Sequence, residues 1–464
     1  MPDLAAPPES ALDLESLAAD VVAQAKKAGA SDAEAVVREG DEFSVTVRMG
    51  EVETLKDSGS RGLGLRVFLG TRSASTSTSD LTPEGIRQLV DGAMALARIT
   101  EEDPCAGLPE AGEFGCAPGD LRLYFPDVYS LPGPERIEWA QRAEAAALAA
   151  DPRITNSHGA TFEAATGHRV LANSRGFAGA YRTSYAGVAV APLAKDENGQ
   201  MQRDAWWSSA RRIGDLDSPE SVGKEAARRT LRRLGARRVP TQRVPLVFAP
   251  EVARSLIGSV FEAASGDAIW RGASFLAGKL GQAIAATGIT IVDDNLMMLP
   301  NGVGGYGSSP FDGEGLPSLR TVVVKDGVLQ TYLLNHYTAR KLEMKSTHNA
   351  SRSLAGTPGI GNGNLYLEPG TQTPEEIIAA IPAGLYVTGL MGFGTNLVTG
   401  DYSRGATGLW IENGQLTHAV EEVTVAGNLA EMLRNVTAIG NDLVFRSSVA
   451  SPTLRIDGMT VAGA

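Results

Sequence analysis

Acidic side chains in two glycine-dense segments are the first candidates for chemistry. Asp312 and Glu314 stand in Ser308-Ser-Pro-Phe-Asp-Gly-Glu-Gly315, and Asp401 stands in Gly400-Asp-Tyr-Ser-Arg-Gly405. Brought together by folding, such carboxylates can divide into a general acid and a general base, as in glycoside hydrolysis. The alternative is structural, because acids in glycine-rich loops cap turns by accepting backbone N–H hydrogen bonds. Histidines offer less. His158, His168, His336, His348 and His418 include no two within five residues, so no HExxH helix exists. His336, Glu343 and His348 form one loose cluster, but helical spacing does not put them on one face, and a structural histidine is the alternative. Gly302-Val-Gly-Gly-Tyr-Gly307 satisfies GxGxxG. A dinucleotide site needs a strand directly before that motif and a helix directly after it, whereas Ser308-Ser-Pro310 follows here. No GxxxxGK[ST] and no GxSxG occur, so neither a P-loop nor a nucleophile elbow is supported. Ten residues separate Cys105 from Cys116, unlike the close ligand pairs of zinc sites. They read as unpaired loop thiols, with a disulfide as the alternative.

Both helices and strands must position these residues. Helical periodicity marks Leu14 to Lys27, Thr82–Ala97, Pro134–Ala149, Pro219–Leu234 and Pro250–Ala264, three of them opened by proline. A short helix is expected around Thr338–Glu343. Alternating or β-branched runs predict strands at Ala33–Val37, Phe43–Val47, Gly64–Phe68, Ser73–Thr78, Thr161–Ala165, His168–Asn173, Tyr181–Ala191 and Arg203–Ser209. Further on come Val244–Phe248, Ile289–Asp293, Leu319–Val324, Val328–Tyr332, Leu385–Leu390, Gly408–Ile411, Val420–Ala426 and Leu443–Phe445. Glycine-rich loops are expected at Gly302–Gly315, Gly356–Gly363 and Gly392–Gly408, where backbone can approach backbone or ligand closely. The predicted organisation is a disordered tail at 1–9, an N-terminal α+β domain at 10–238, and a β-rich domain at 239–464 joined through Gly235–Thr241.

A length of 464 residues exceeds one ordinary core. The formal net charge of −12 argues against non-specific binding to nucleic acid or to an anionic membrane surface. The densest basic stretch, Arg228 to Arg238, reads as a solvated helix face. No run of about 18 apolar residues suggests a membrane span, and the acidic, proline-containing start MPDLAAPPES lacks the pattern of a signal sequence. The cytoplasm is the expected location.

Several long stretches carry a family resemblance. They are Ser60-Arg-Gly-Leu-Gly-Leu-Arg-Val-Phe68, Arg320-Thr-Val-Val-Val-Lys-Asp-Gly-Val-Leu329, and Tyr337-Thr-Ala-Arg-Lys-Leu342. Thr399-Gly-Asp-Tyr-Ser-Arg-Gly-Ala-Thr-Gly408, Val423-Thr-Val-Ala-Gly-Asn-Leu429 and the tail Ser451-Pro-Thr-Leu-Arg-Ile-Asp-Gly-Met459 extend it over nearly the whole chain. Together they resemble the TldD/PmbA family of peptidases, and within it the PmbA (TldE) type of subunit. The resemblance implies a two-domain α+β fold with a mixed α/β N-terminal domain and a β-rich C-terminal domain. It also implies a dimer acting on unfolded or extended peptides.

Members of the TldD type resembled here carry HExxxH on a helix and a cysteine near the C-terminus as zinc ligands. This chain departs from that pattern. If Glu262 matches the motif's glutamate, Phe261 and Gly266 stand at the histidine positions. The tail reads Phe445-Arg-Ser-Ser-Val-Ala-Ser451, and no cysteine follows Cys116. The resemblance therefore implies a subunit without metal ligands of its own, zinc being expected in a TldD-type partner. The partner would complete a heterodimer, and a homodimer is the expectation for the isolated chain. Asp401, Tyr402, Arg404 and Asp312 are candidate peptide contacts: Arg404 for a carboxylate or for Asp401, Tyr402 for stacking. Two other functions stay open: a homodimeric peptide-binding protein, and a hydrolase using Asp312, Glu314 and Asp401.

Overall fold

The computed structural model describes residues 13–463; the tail expected at 1–9 lies outside them. Asp13 opens the first helix, Leu14–Lys27, by accepting from the N–H groups of Glu15 and Ser16. The apolar stripe predicted there, Leu14, Leu17, Ala18, Val21 and Ala25, is buried. Seven antiparallel strands follow: β1 (Asp32–Arg48), β2 (Glu51–Leu69), β3 (Arg72–Thr78), β4 (Ile154–Asn173), β5 (Ala178–Lys195), β6 (Met201–Arg203) and β7 (Trp206–Ala210). They form one sheet in the order β3-β2-β1-β4-β5-β6, with β7 also on β5.

The strands run longer than the sequence periodicity indicated. Ala33–Val37 and Phe43–Val47 are the two ends of one 17-residue strand, and Thr161–Ala165 and His168–Asn173 belong to one 20-residue strand. The sheet has a separate core at each end. The Leu14–Lys27 and Pro83–Ile99 helices cover Ala35, Val37, Leu65 and Val170 at one end. The Gly133–Leu148 and Pro219–Leu231 helices cover Phe43, Val45, Phe162 and Val188 at the other. Between them lies an open polar trough of about 680 Å³ lined by Glu39, Asp41, Arg61, Thr166, His168 and Arg182. Apolar alternation lapses there because no core lies beneath, while the backbone ladder continues. The expected strand Arg203–Ser209 is divided at Asp204-Ala205 between β6 and β7.

From Gln242 onward the chain builds a second body. Strands Gln415–Asn428, Asp401–Glu412, Ala383–Met391, Gln242–Phe248 and Leu454–Ala462 pair in that order. Pairing of the first with the last closes a five-stranded ring. Val436–Ile439 adds to its Leu454–Ala462 strand. A smaller sheet holds Val328–Leu329, Arg320–Lys325, Ile291–Asp294, Asn364–Leu367 and Val449–Ala450. Helix Pro250–Ala264 buries Val252, Leu256, Ile257 and Val260 in the core shared by ring and sheet. The whole is an α+β fold.

Four expectations change here, the first being the strand expected at Leu443–Phe445, where the chain runs without strand pairing between Val436–Ile439 and Val449–Ala450. The loop expected over Gly392–Gly408 ends at Gly400, since Asp401–Glu412 is a strand. Gly408 sits within it because a Cβ there would lie 2.1 Å from the Tyr386 carbonyl oxygen. The expected strand Val328–Tyr332 stops at Leu329. The predicted linker at 235–241 is not free chain, for Arg237 N–H donates to Ala419 O at 3.0 Å and Arg238 pairs with Glu422. The basic stretch is largely neutralised: Arg228 and Arg229 meet Glu225, and Arg232 meets Asp204. Cys105 and Cys116 are unpaired. Among the described residues no helix is long and apolar enough to cross a membrane.

Candidate functional site

Helix Pro250–Ala264 ends at Ser265, whose backbone is extended, and a short helix Gly266–Trp270 begins at once. Phe261 is half-buried against the C-terminal core, and Glu262 is exposed. Gly266 is buried, its N–H donating to Leu333 O at 2.9 Å. A Cβ at Gly266 would lie 2.6 Å from both Leu334 Cδ2 and Thr338 Oγ1. No side chain, and so no imidazole, fits there without displacing the helix His336–Lys341 that carries Thr338.

The fold does bring the C-terminal tail to this helix. Val449–Ala450 packs beside it, and Arg254 Nη1 donates to Ser447 Oγ at 2.9 Å. At that contact the tail offers hydroxyls, not a thiolate. The histidines are scattered. His158 lies against Arg203, His348 Nδ1 meets Pro317 O at 2.7 Å, and His418 meets Thr417. His336 Nε2 is buried without a partner, and the loose cluster with Glu343 and His348 is not joined by any hydrogen bond. No group of three or more His, Cys, Asp or Glu side chains converges as a metal-ligand set among the described residues. Structural and catalytic zinc require three or four such ligands, so the residues present at this helix and tail do not fit a zinc ion.

Asp401, Tyr402 and Arg404 lie on one strand, where successive side chains take opposite faces. Asp401 therefore points away from Arg404, and the expected Asp401–Arg404 pair is absent. Asp401 Oδ2 instead accepts from Thr399 Oγ1 at 2.7 Å, and Asn428 Nδ2 approaches Oδ1 at 3.4 Å. Tyr402 is only 2% exposed, so its ring is core rather than a platform for a ligand. Burial pushes its phenol up to about 12, with the Arg404 guanidinium beside it opposing the shift.

Asp312 and Glu314 are buried. Asp312 Oδ1 accepts from the N–H groups of Glu314 at 2.8 Å and Leu316 at 3.0 Å, and Oδ2 accepts from Ala350 N–H at 3.2 Å. Glu314 Oε2 accepts from His336 N–H at 2.8 Å. Burial, then the Asp312 charge, raises Glu314 to about 8. These acids staple the loop to Ala350 and His336. No hydrogen bond, ion pair or common partner links them to Asp401 among the described residues, so the three-carboxylate hydrolase is not assembled. Asp293 is a further buried acid, in addition to Glu34 and Glu144. Asp293, in Ile291-Val-Asp-Asp294, accepts from Asn349 Nδ2 at 2.6 Å and Gly363 N–H at 2.8 Å, and burial raises it to about 7. Its only signal was an acid pair ending an apolar strand.

An exposed apolar edge was equally unforeseen. Phe393 is fully exposed, with Met391 and Val398 each 57% exposed around the Gly392–Gly400 turn. The Phe275 N–H holds that turn to the body through Leu397 O at 2.8 Å.

Comparison with known proteins completes the picture. Models of three PmbA/TldA metallopeptidase domains match: domain 1 at residues 33–97, the central domain at 126–234 and the C-terminal domain at 241–463. Metalloprotease PmbA of Escherichia coli O157:H7 is 39% identical across 94% of this chain and 93% of its own length. A PmbA homologue of Haemophilus influenzae is 34% identical across 97% and 96%. Among solved structures, a Bacteroides thetaiotaomicron protein proposed as a modulator of DNA gyrase superposes with a TM-score of 0.88 at 27% identity, covering 97% of this chain and 99% of the other. TldE from Thermococcus kodakarensis shares the fold with a TM-score of 0.86 at 20% identity, over 96% and 100%. Matched by all three domain models and 39% identical to a PmbA metalloprotease over 94% of its length, the chain belongs to the PmbA/TldA metallopeptidase family.

Proposed function

We propose that this chain is a PmbA/TldE-type subunit that contributes walls, not a metal centre, to a peptidase complex of its family. The observation that carries the proposal is the buried Gly266, packed against Leu334 and Thr338 where, if Glu262 matches the motif's glutamate, the second ligand side chain would stand. Without imidazole or thiolate there is no metal to lower the pKa of a bound water near neutrality. Exposed Glu262 acting on bulk water would be a weak base for amide hydrolysis. Zinc then comes from a TldD-type partner carrying HExxxH, as a heterodimer in the cytoplasm. The substrates are unfolded or extended peptides, held through their backbone by an exposed strand edge. The Gly392–Gly400 turn, with Phe393 in solvent, is a wall element suited to contact a partner or a peptide.

The test is reconstitution with unstructured peptides. The purified chain alone should not cleave, and adding an HExxxH-bearing relative should produce cleavage that a chelator abolishes. Chelator-resistant cleavage by the chain alone would refute the proposal. Peptide binding by a homodimer, with no cleavage under either condition, would replace it with a binding function.

A further inference from the structure

Where β1 and β4 pair, Arg38 stands directly opposite Arg169, and Arg169 in turn stands opposite Tyr181 of β5. Like charges directly across a ladder repel. Among the described residues neither arginine meets a carboxylate within ion-pair distance. Arg38 Nη2 donates to Arg352 O, while its Nε is buried and unpartnered. Arg169 Nε and Nη2 are likewise buried and unpartnered. The neighbouring Glu34 is already shared between Arg66 Nη1 at 3.3 Å and Arg352 Nη1 at 2.5 Å. A third cation, Arg211, is 5% exposed and donates only to the carbonyls of Leu123, Gly304, Gly305 and Tyr306.

Arg169 and Arg211, but not Arg38, border a cavity of about 220 Å³ between the first sheet and the C-terminal body. Arg169, Arg211, Tyr181, Thr183, Tyr306 and Asp312 line it. The one carboxylate there, Asp312, has both oxygens occupied by the N–H groups of Glu314, Leu316 and Ala350. A water occupies about 30 Å³ of liquid, so the space holds a small oxyanion with a few waters. A half-buried guanidinium whose inner N–H groups lack partners, as in Arg169, is costly unless an opposite charge meets it.

From this geometry we propose that the cavity is an oxyanion site, with the Arg169 guanidinium as its principal donor and the Thr183 and Tyr181 hydroxyls beside it. Phosphate and the free carboxylate at a peptide's end share the chemistry it recognises. The phosphate form is independent of the peptidase proposal, whereas the peptide form rests on it.

Titration calorimetry and thermal denaturation of the full chain test this. The probes are inorganic phosphate, an unstructured peptide with a free C-terminus, and the same peptide as its C-terminal amide. The wild-type chain should bind phosphate or the free-acid peptide saturably, and R169M should bind that ligand at least tenfold more weakly. Without anion, R169M should melt above the wild type, since it removes a like-charge repulsion; adding the ligand should narrow or reverse that gap. Should R169M fail to fold, T183V should still weaken binding severalfold. Binding of phosphate alone assigns an inorganic ligand. Binding of the acid but not the amide assigns a peptide terminus, whether or not any cleavage occurs. The proposal fails if the wild type shows no saturable binding of either anion, or if the folded variants bind as tightly as the wild type.

Discussion

Two glycine-dense stretches of this chain look alike in sequence and end in opposite surroundings. In Gly302–Gly315 the apolar neighbours Val303 and Phe311 are buried, and glycine is required by crowding. A Cβ at Gly307 would lie 2.1 Å from Gly363 O, and one at Gly304 would lie 2.5 Å from Leu121 O. In Gly392–Gly400 the neighbours Met391, Phe393 and Val398 face solvent. Gly392 and Gly400 take a left-handed backbone, at φ of 80° and 81°, while a Cβ at Gly394 would lie 1.5 Å from Ser403 O. Close backbone packing and left-handed glycines occur in both stretches, and the fate of the flanking apolar side chains distinguishes them. The first stretch welds the two bodies of the molecule together. The second is left free to meet something else.

The largest expected effect is at Phe311, which meets Phe177 and Tyr181 edge-on at centroid distances of 5.2 Å. F311A should cost about 3–5 kcal/mol of stability by denaturant titration. A loss below about 1 kcal/mol would mean that the first stretch is not a weld. G307A comes next, at about 1–3 kcal/mol, because two backbones must separate. A neutral G307A would erase the contrast with the surface turn.

A pH dependence sharpens the same weld. An unfolded glutamate titrates near about 4.3, whereas Glu314 is held up to about 8 in the fold. Between those values the folded chain retains a proton that the unfolded chain has lost. Stability contributed by neutral Glu314 is therefore complete below the lower value, falls as pH rises through the window, and is flat above it. The slope from this group is at most about 1.4 kcal/mol per pH unit. E314Q should flatten that portion of a stability–pH curve, and an unchanged curve would show Glu314 ionised in the fold. Smallest of all, F393A should shift stability by no more than about 0.5 kcal/mol. A larger loss, measured the same way, would show the turn packed rather than open.

What the sequence revealed follows from how local each signal is. Helix Pro250–Ala264 was legible to the residue because proline at its start and its apolar spacing are written within one segment. The middles of β1 and β4 were not, since the trough between the two cores removes the alternation that marks a strand. Asp401–Gly408 reads as loop in sequence because glycine within a strand serves close packing between backbones, which depends on a neighbour far along the chain. The candidate site divided in the same way. That no histidine lies between His168 and His336 and no cysteine follows Cys116 is read from identity alone, but the closure of the Gly266 position by Thr338 and the meeting of Arg38 with Arg169 are products of tertiary pairing.

The central claim is that this family member holds no metal of its own. Measuring zinc by elemental analysis in the purified chain, after dialysis against metal-free buffer and again after incubation with one equivalent of zinc, tests it most directly. The account predicts far less than one zinc per chain in both samples, with no activity gained. One tightly retained zinc per chain, together with zinc-dependent cleavage by the chain alone, would contradict it.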